Sequence, residues 1–301
     1  MRAPAAFLMT GFLFLIKKRS EGVCGKMGGS ARKRALLLGA AGLVGRWVTR
    51  GLEDGFDILP AAGRHAPENG YCLPAEEPEA LKEVLLREDP DVVISSIRGD
   101  YPAQIAFHRA LAEWLAGRGE KRLLYMSTAN VFDGRLTQPW TEADPPAPES
   151  DYGIFKRDCE AMLGRMLGEQ LTVFRLAAVW SPGCPRVRQL RRSSESGEPH
   201  PTYPGYTINV TLADQIGDYA RYVLSRELHG IFHVGTTDTV NYAAFEEMVC
   251  RALHIPPPVF APEPAEEEAF FAVLPARGEI PADLQMTVSH VLSALKTERS
   301  Q

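Results

Sequence analysis

The sequence predicts an α/β fold in which helices cover both faces of a doubly wound parallel sheet. Three observations support this prediction. A short apolar run at 35–38 leads into glycines spaced G-x-x-G-x-x-G and then into an amphipathic segment. Apolar or β-branched runs alternate with amphipathic segments as far as residue 180. Beyond residue 180 the chain becomes rich in proline and arginine, which predicts a small C-terminal lobe.

The first of these segments has the order strand, glycine turn and helix that suits a bound phosphate. Helix starts offer unpaired N–H donors and positive dipole potential, and glycines let the backbone come close to a pyrophosphate. The order therefore predicts a dinucleotide site, and a purely structural strand–helix turn is the alternative. The residues predicted to line the pyrophosphate are Gly39, Gly42, Leu43, Val44 and Gly45.

The second strand is predicted at 56–62, and Arg64 follows it in the segment Gly63-Arg64-His65. In a nucleotide-binding fold the end of this strand lies beside the adenosine ribose, where an arginine suits a 2′-phosphate. Arg64 therefore favours NADP, with NAD left open. A solvated loop arginine is the alternative.

Predicted helices and strands continue along the rest of the chain. Helices are predicted at 78–88, 105–115, 152–167, 210–224, 242–253 and 288–295. Strands are predicted at 92–94, 122–126, 171–179 and 230–234. Segment 181–206 is predicted to be irregular. Because ligands bind at the carboxyl ends of strands in such sheets, Ser95 and Ser96 are candidate cofactor contacts.

A phenol and an ammonium stand four residues apart in Tyr152-Gly153-Ile154-Phe155-Lys156, and this spacing places both on one helix face. A nearby cation is expected to lower the tyrosine pKa. A hydroxyl from Ser127 or Thr128, at the end of the preceding strand, could bind the same substrate oxygen. These four residues are the candidate catalytic group for passing a proton to a carbonyl oxygen. A surface helix pair without a role is the alternative.

Segment 181–206 also carries four arginines. Guanidinium groups bind diphosphates bidentately, so Arg186, Arg188 and Arg191 are candidate substrate contacts. A solvent-facing basic loop is an equal alternative. The seven histidines show no metal-ligand spacing, and no metal is predicted.

Composition limits the other function classes. The net charge of −5 gives no electrostatic reason to expect a nucleic acid partner. Five scattered cysteines without a C-x-x-C pair fit a reducing cytoplasm. The apolar run 7–16 is too short to span a bilayer, so no membrane partner is expected. Residues 1–33 are interpreted as a disordered extension, or as the product of a start codon assigned too early, with Met27 as the true first residue. An uncleaved membrane anchor is the other alternative.

Several segments resemble the extended short-chain dehydrogenase/reductases, and most closely their dTDP-4-dehydrorhamnose reductase branch. The most specific is S-T-A-N-V-F-D-G, beginning at Ser127. The others are L-L-L-G-A-A-G-L-V-G-R, D-P-D-V-V-I, P-W-T-E-A-D-P-P-A-P and Y-G-I-F-K, with further similarity up to residue 292.

The resemblance implies a Rossmann-type domain for NADPH over 34–180, completed by 207–250, and a substrate lobe formed mainly by 181–301. It implies reduction of a 4-keto group in a nucleotide-linked sugar. By position, Thr128 would be the triad hydroxyl and Tyr152 the general acid. Lys156 would modulate Tyr152 and bind the nicotinamide ribose.

The chain departs from the family pattern at several places near this site, among them S-T-A-N at 127–130, where the family has S-T-D-Y. The family usually has N-A-A-A-Y-T after the fourth strand, where this chain has S-S-I-R-G-D at 95–100. An aromatic residue expected near the sugar is absent from 176–178. Two alternatives stay open on the same fold: a sugar epimerase or dehydratase, and a non-catalytic NAD(P)-binding regulatory subunit. A homodimer is also left open.

Overall fold

The computed structural model describes residues 32–264 and 268–297, so the interpretation of the N-terminal extension, including Met27, falls almost wholly outside it. The strands are β1 (Lys33–Leu38), β2 (Phe56–Ala62), β3 (Tyr71–Cys72), β4 (Val92–Ser95), β5 (Arg122–Thr128), β6 (Leu171–Leu176), β7 (Ala178–Trp180), β8 (His200–Thr202), β9 (Tyr206–Ile208), β10 (Val210–Leu212), β11 (Gly230–Val234), β12 (Val240–Asn241), β13 (Phe260–Pro262) and β14 (Ala269–Phe271). The helices are α1 (Leu43–Leu52), α2 (Pro78–Glu88), α3 (Tyr101–Leu115), α4 (Asp151–Leu167), α5 (Pro185–Ser196), α6 (Ala213–Ser225), α7 (Tyr242–Ala252) and α8 (Val288–Thr297).

The main sheet has seven parallel strands in the order β11-β6-β5-β4-β1-β2-β3. Its central strands are apolar and buried, as expected when helices cover both faces. Helices α1 and α6 pack on one face, while α2, α3 and α4 pack on the other. The predicted doubly wound α/β fold is confirmed. The carboxyl ends of β1, β4 and β5 lie side by side at one edge.

The structure differs from the sequence prediction at several places. Helix α3 begins at Tyr101 rather than at residue 105. The strand predicted at 171–179 is two strands, because the chain leaves the main sheet after β6 and β7 pairs with β10 instead. The helix predicted from residue 210 begins at Ala213, since the β-branched run Val210-Thr211-Leu212 forms β10. Segment 181–206 is not irregular: it contains α5 and β8.

The C-terminal third builds a second apolar cluster from α5, α7, α8 and the short strands. One segment of it, 272–276, returns to the main sheet. Asn209 is fully buried and its amide bonds both backbone groups of Val273, at 2.7 and 3.0 Å. The carboxylate of Glu142 accepts from His233 N at 2.8 Å and from Ala276 N at 2.9 Å, and so links β11 to this segment. The chain from Lys33 onward forms one compact unit, and its division into a cofactor domain and a substrate lobe stays a prediction.

Across the described ranges, no helix has both the length and the hydropathy that crossing a lipid bilayer requires.

Candidate active site

The glycine turn between β1 and α1 is built for close approach. Gly39 has φ +86°, and its N–H and that of Ala40 both donate to Ala61 O at 2.9 Å. A Cβ on Gly45 would lie 2.2 Å from Gly39 O, so no side chain fits there. Leu43 and Val44 begin α1 after Gly42, and the N–H groups of a helix's first turn have no acceptor within the helix. The free donors for a phosphate are therefore those of the first turn of α1, because the N–H groups of Gly39 and Gly42 are already bonded within the protein.

Ser95 ends β4 and Ser96 follows it, and their side chains point in different directions. Ser96 Oγ donates to Leu38 O at 3.1 Å, which holds this loop against the glycine turn. Ser95 is 1% exposed, and its Oγ lies 2.8 Å from His108 Nε2 within the core. Consecutive strand residues face opposite sides of a sheet, which explains the difference. The assignment of the Ser95 side chain to the cofactor is therefore withdrawn, and Ser96 stays a candidate.

Arg64 lies in the exposed bend that follows β2. This is the strand end where the sequence predicts it to meet a 2′-phosphate. Its role in cofactor selection stays a prediction.

Thr128 and Tyr152 are brought together by the start of α4. A Cβ on Gly153 would lie 2.2 Å from Asn130 O, so this glycine lets α4 sit directly on the turn that follows β5. Asp133 fixes the same junction: it accepts from Glu149 N at 2.7 Å and Ser150 N at 3.1 Å. Asp133 is thus bonded into the helix start, in agreement with its interpretation as a turn residue.

Lys156 is buried near Thr128 and Tyr152, with 6% of its surface exposed. Its Nζ donates to Met126 O at 2.8 Å and lies 6.0 Å from the ring centroid of Tyr152. Burial lowers the pKa of Lys156 to about 8. The ammonium is therefore close to the phenol but bonded to the backbone.

The structure corrects the expected direction of the Tyr152 pKa. Burial raises the pKa of Tyr152 above its usual 10.0, while the nearby Thr128 hydroxyl and the charge of Arg98 oppose that rise. The phenol is therefore protonated at neutral pH. Thr128 Oγ1 donates to Asn130 Oδ1 at 3.0 Å. Tyr152 is 37% exposed.

Ser127 does not join this group. Its Oγ donates to Glu160, whose carboxylate pairs with Arg175 at 2.8 Å, and all three side chains are buried. Because Ser127 and Thr128 are adjacent on β5, they face opposite sides of the sheet. The proposal of Ser127 as a catalytic hydroxyl is withdrawn, which leaves Thr128.

The candidate substrate arginines lie on α5 rather than in a loop. Arg186 donates to Val179 O at 3.4 Å and its guanidinium lies 5.9 Å from the Trp180 ring centroid. Arg188 is exposed and folds back onto Gly183 O. Arg191 is partly buried. On α5, Arg188 and Arg191 are three residues apart and share a face, whereas Arg186 lies two residues before Arg188. Contact of the three with substrate stays a prediction.

Two residues near Tyr152 escaped the sequence analysis. Tyr101 stacks on Phe155 with centroids 4.7 Å apart, and its ring lies 6.1 Å from that of Tyr152. Arg98, in the loop before α3, acts electrostatically on both Tyr152 and Lys156. A basic residue after a strand at the ligand edge was the available signal for Arg98. Tyr101 carried none, because its partner is distant in sequence.

A parallel sheet with a glycine turn after β1, and a threonine, tyrosine and lysine gathered after β5, defines the class of nucleotide-binding short-chain dehydrogenase/reductase folds. Residues 33–295 match the family described as the RmlD substrate binding domain. The chain belongs to that family, and the resemblance found in the sequence is confirmed.

Known proteins similar to the chain agree with this assignment. It is 28% identical over 246 residues to a probable dTDP-4,6-dihydroxy-2-methyloxan-3-one 4-ketoreductase of Streptomyces antibioticus, covering 74% of this chain and 78% of that protein. The solved dTDP-4-dehydrorhamnose reductase of Bacillus anthracis, in complex with NADP, superposes with a TM-score of 0.77 at 17% identity over 90% of this chain and 100% of that one. The UDP-glucose 4-epimerase of Thermus thermophilus, with NAD, gives 0.68 at 18% identity over 87% and 99%.

Proposed function

We propose that this protein is an NADP-dependent reductase of a keto group in a nucleotide-linked sugar, similar to dTDP-4-dehydrorhamnose reductase. The observation that carries the proposal is the convergence of Thr128, Tyr152 and Lys156 at the edge of the sheet that also holds the glycine turn. The ketoreductase and the NADP-bound reductase named above support the same substrate class and cofactor.

The residues of the turn fit a dinucleotide. Gly45 has no Cβ, so the start of α1 can pack directly against Gly39 O. The start of α1 also supplies positive potential to a bound pyrophosphate. Arg64 follows β2, where an arginine suits a 2′-phosphate, and this supports NADP over NAD. When bound, NADPH supplies the hydride that reduces the carbonyl carbon.

The protein's own residues then handle the oxygen. Tyr152 holds its proton at neutral pH and donates it to the carbonyl oxygen as the carbon accepts hydride, so the ketone becomes an alcohol. Thr128 hydrogen bonds at the same position and orients the oxygen. Lys156 places positive charge beneath the tyrosinate that forms, which lowers the free energy of that state. Tyr152 regains its proton from solvent.

The test compares wild type with Tyr152→Phe, following NADPH absorbance with dTDP-4-keto-6-deoxy sugars. Removal of a general acid is expected to lower kcat by about 10²–10⁴-fold. Tyr222→Phe is the control, because that hydroxyl bonds Glu279 O on an outer helix face and lies in no proposed site.

The outcomes separate the alternatives. Equal activity of wild type and Tyr152→Phe on every ketone tested would contradict the proposal. Dinucleotide binding without turnover would favour a regulatory subunit. Tightly held NAD that survives purification would favour an epimerase.

A further inference from the structure

Arg98 occupies the loop that connects the two halves of the proposed site. On one side of it, Ser96 bonds Leu38 O at the glycine turn, at 3.1 Å. On the other, Tyr101 stands 6.1 Å from the ring of Tyr152, centroid to centroid. The backbone at Arg98 therefore runs from the glycine turn toward the proposed general acid.

The charge of Arg98 has no partner within the described part of the chain. The side chain is exposed, and no described carboxylate lies within 4.0 Å of it. Asp100, the nearest acid along the chain, is used as the cap of α3, where it accepts from Ala103 N at 2.9 Å.

A second cation makes this arrangement unfavourable without a ligand. Arg98 lowers the pKa of both Tyr152 and Lys156, which places its charge near both groups. Two cations beside one cleft repel each other, and an anion bound between them removes that repulsion. Guanidinium groups bind phosphate oxygens through two parallel hydrogen bonds.

We propose that Arg98 binds a phosphate group in the cleft between the glycine turn and Tyr152. This inference rests on the proposed function, because that phosphate belongs either to the dinucleotide or to the diphosphate of the sugar substrate. Arg98 is then a ligand-binding residue of this chain, in a loop where the family usually has N-A-A-A-Y-T.

The experiment measures binding without turnover. Wild type, Arg98→Ala and Arg98→Lys are titrated calorimetrically with NADPH, with dTDP and with adenosine 2′,5′-bisphosphate, which lacks a pyrophosphate. Arg109→Ala is the matched control, since Arg109 is exposed on α3 with no bond to the site. Thermal midpoints equal to wild type establish that each variant is folded.

We expect Arg98→Ala to raise the Kd of NADPH or of dTDP by at least about tenfold, because a charge-assisted hydrogen bond is lost. Arg98→Lys should recover part of the lost affinity. Adenosine 2′,5′-bisphosphate should bind the Arg98 variants and wild type with the same Kd. A loss confined to NADPH assigns the phosphate to the cofactor, and a loss confined to dTDP assigns it to the substrate.

Unchanged Kd values for both ligands, equal to those of Arg109→Ala, would overturn the inference while leaving the reductase proposal intact. A wild type that binds neither ligand would overturn both.

Discussion

Gly45 determines how closely α1 can approach the end of β1, because any Cβ there would meet Gly39 O at 2.2 Å. Gly45→Ala must therefore push the helix start away from the turn and disturb the proposed phosphate donors. We expect NADPH binding to weaken by at least about tenfold, measured by calorimetry, since the bound phosphate depends on donors placed within hydrogen-bond distance.

Gly164→Ala is the control for this substitution. Gly164 is exposed on α4 with open space around it, so alanine there should stabilise the protein by about 0.5–1 kcal/mol and leave binding unchanged. Equal NADPH affinity in the two variants would show that the close contact at Gly45 is not needed.

At the scale of elements, the buried network of Ser127, Glu160 and Arg175 joins β5, α4 and β6 beneath the proposed site. Glu160→Gln would leave the guanidinium of Arg175 buried without a counter-charge. We expect this change to lower the free energy of unfolding by about 3–5 kcal/mol, measured by urea denaturation.

An exposed ion pair serves as the control for Glu160→Gln. Asp218→Asn breaks the Asp218–Arg221 ion pair on α6, whose side chains are 41% and 50% exposed. Its cost should stay below about 1 kcal/mol. A Glu160→Gln cost as small as that of Asp218→Asn would mean that the buried pair contributes nothing specific.

Elements also show where sequence reasoning succeeds and fails. The alternation of β1 to β6 with α1 to α4 follows from apolar periodicity. Thr128 was predicted from its place at a strand end, and Tyr152 and Lys156 were predicted from their spacing of four residues on a helix. Helix α5 was missed because its buried side chains, Val187, Leu190 and Ser193, are outnumbered by arginine and serine. Its start was signalled by Pro185 at the first helical position.

The site residues that were misassigned share one physical cause. Ser95 and Ser127 are each one position away from a residue that faces the site, and a strand turns adjacent side chains to opposite sides. Composition cannot distinguish the two faces of a strand buried on both sides, since both are apolar. Arg175, a charge inside an apolar strand, was the signal that a buried partner such as Glu160 exists.

For the whole molecule, two buried histidines predict acid sensitivity. His108 donates from Nδ1 to Gln104 O and accepts from Ser95 at Nε2, as a neutral imidazole must. Burial, with the charge of Lys156, lowers the pKa of His108 to about 3. Burial, with the charge of Arg175, lowers the pKa of His233 to about 3.

At pH values between about 3 and 6.5, these two histidines bind protons in the unfolded chain but not in the native state. Stability is therefore complete above about pH 6.5 and is lost as the pH falls toward 3. From pH 7 to pH 5 each histidine should cost about 2 kcal/mol of unfolding free energy, measured by urea denaturation at both pH values. His108→Gln should lose about half as much stability as wild type over this interval, and an equal loss would contradict the assignment.

The return of 272–276 to the main sheet has a consequence for synthesis on the ribosome. Most strands of the sheet emerge early, but Val273 and Ala276, which bond Asn209 and Glu142, are translated late. A nascent chain ending before residue 269 leaves Asn209 Oδ1 without its backbone donor, Val273 N, so it is held short of the native state until that segment is made. Early termination products are then substrates for chaperones and proteases rather than smaller working enzymes.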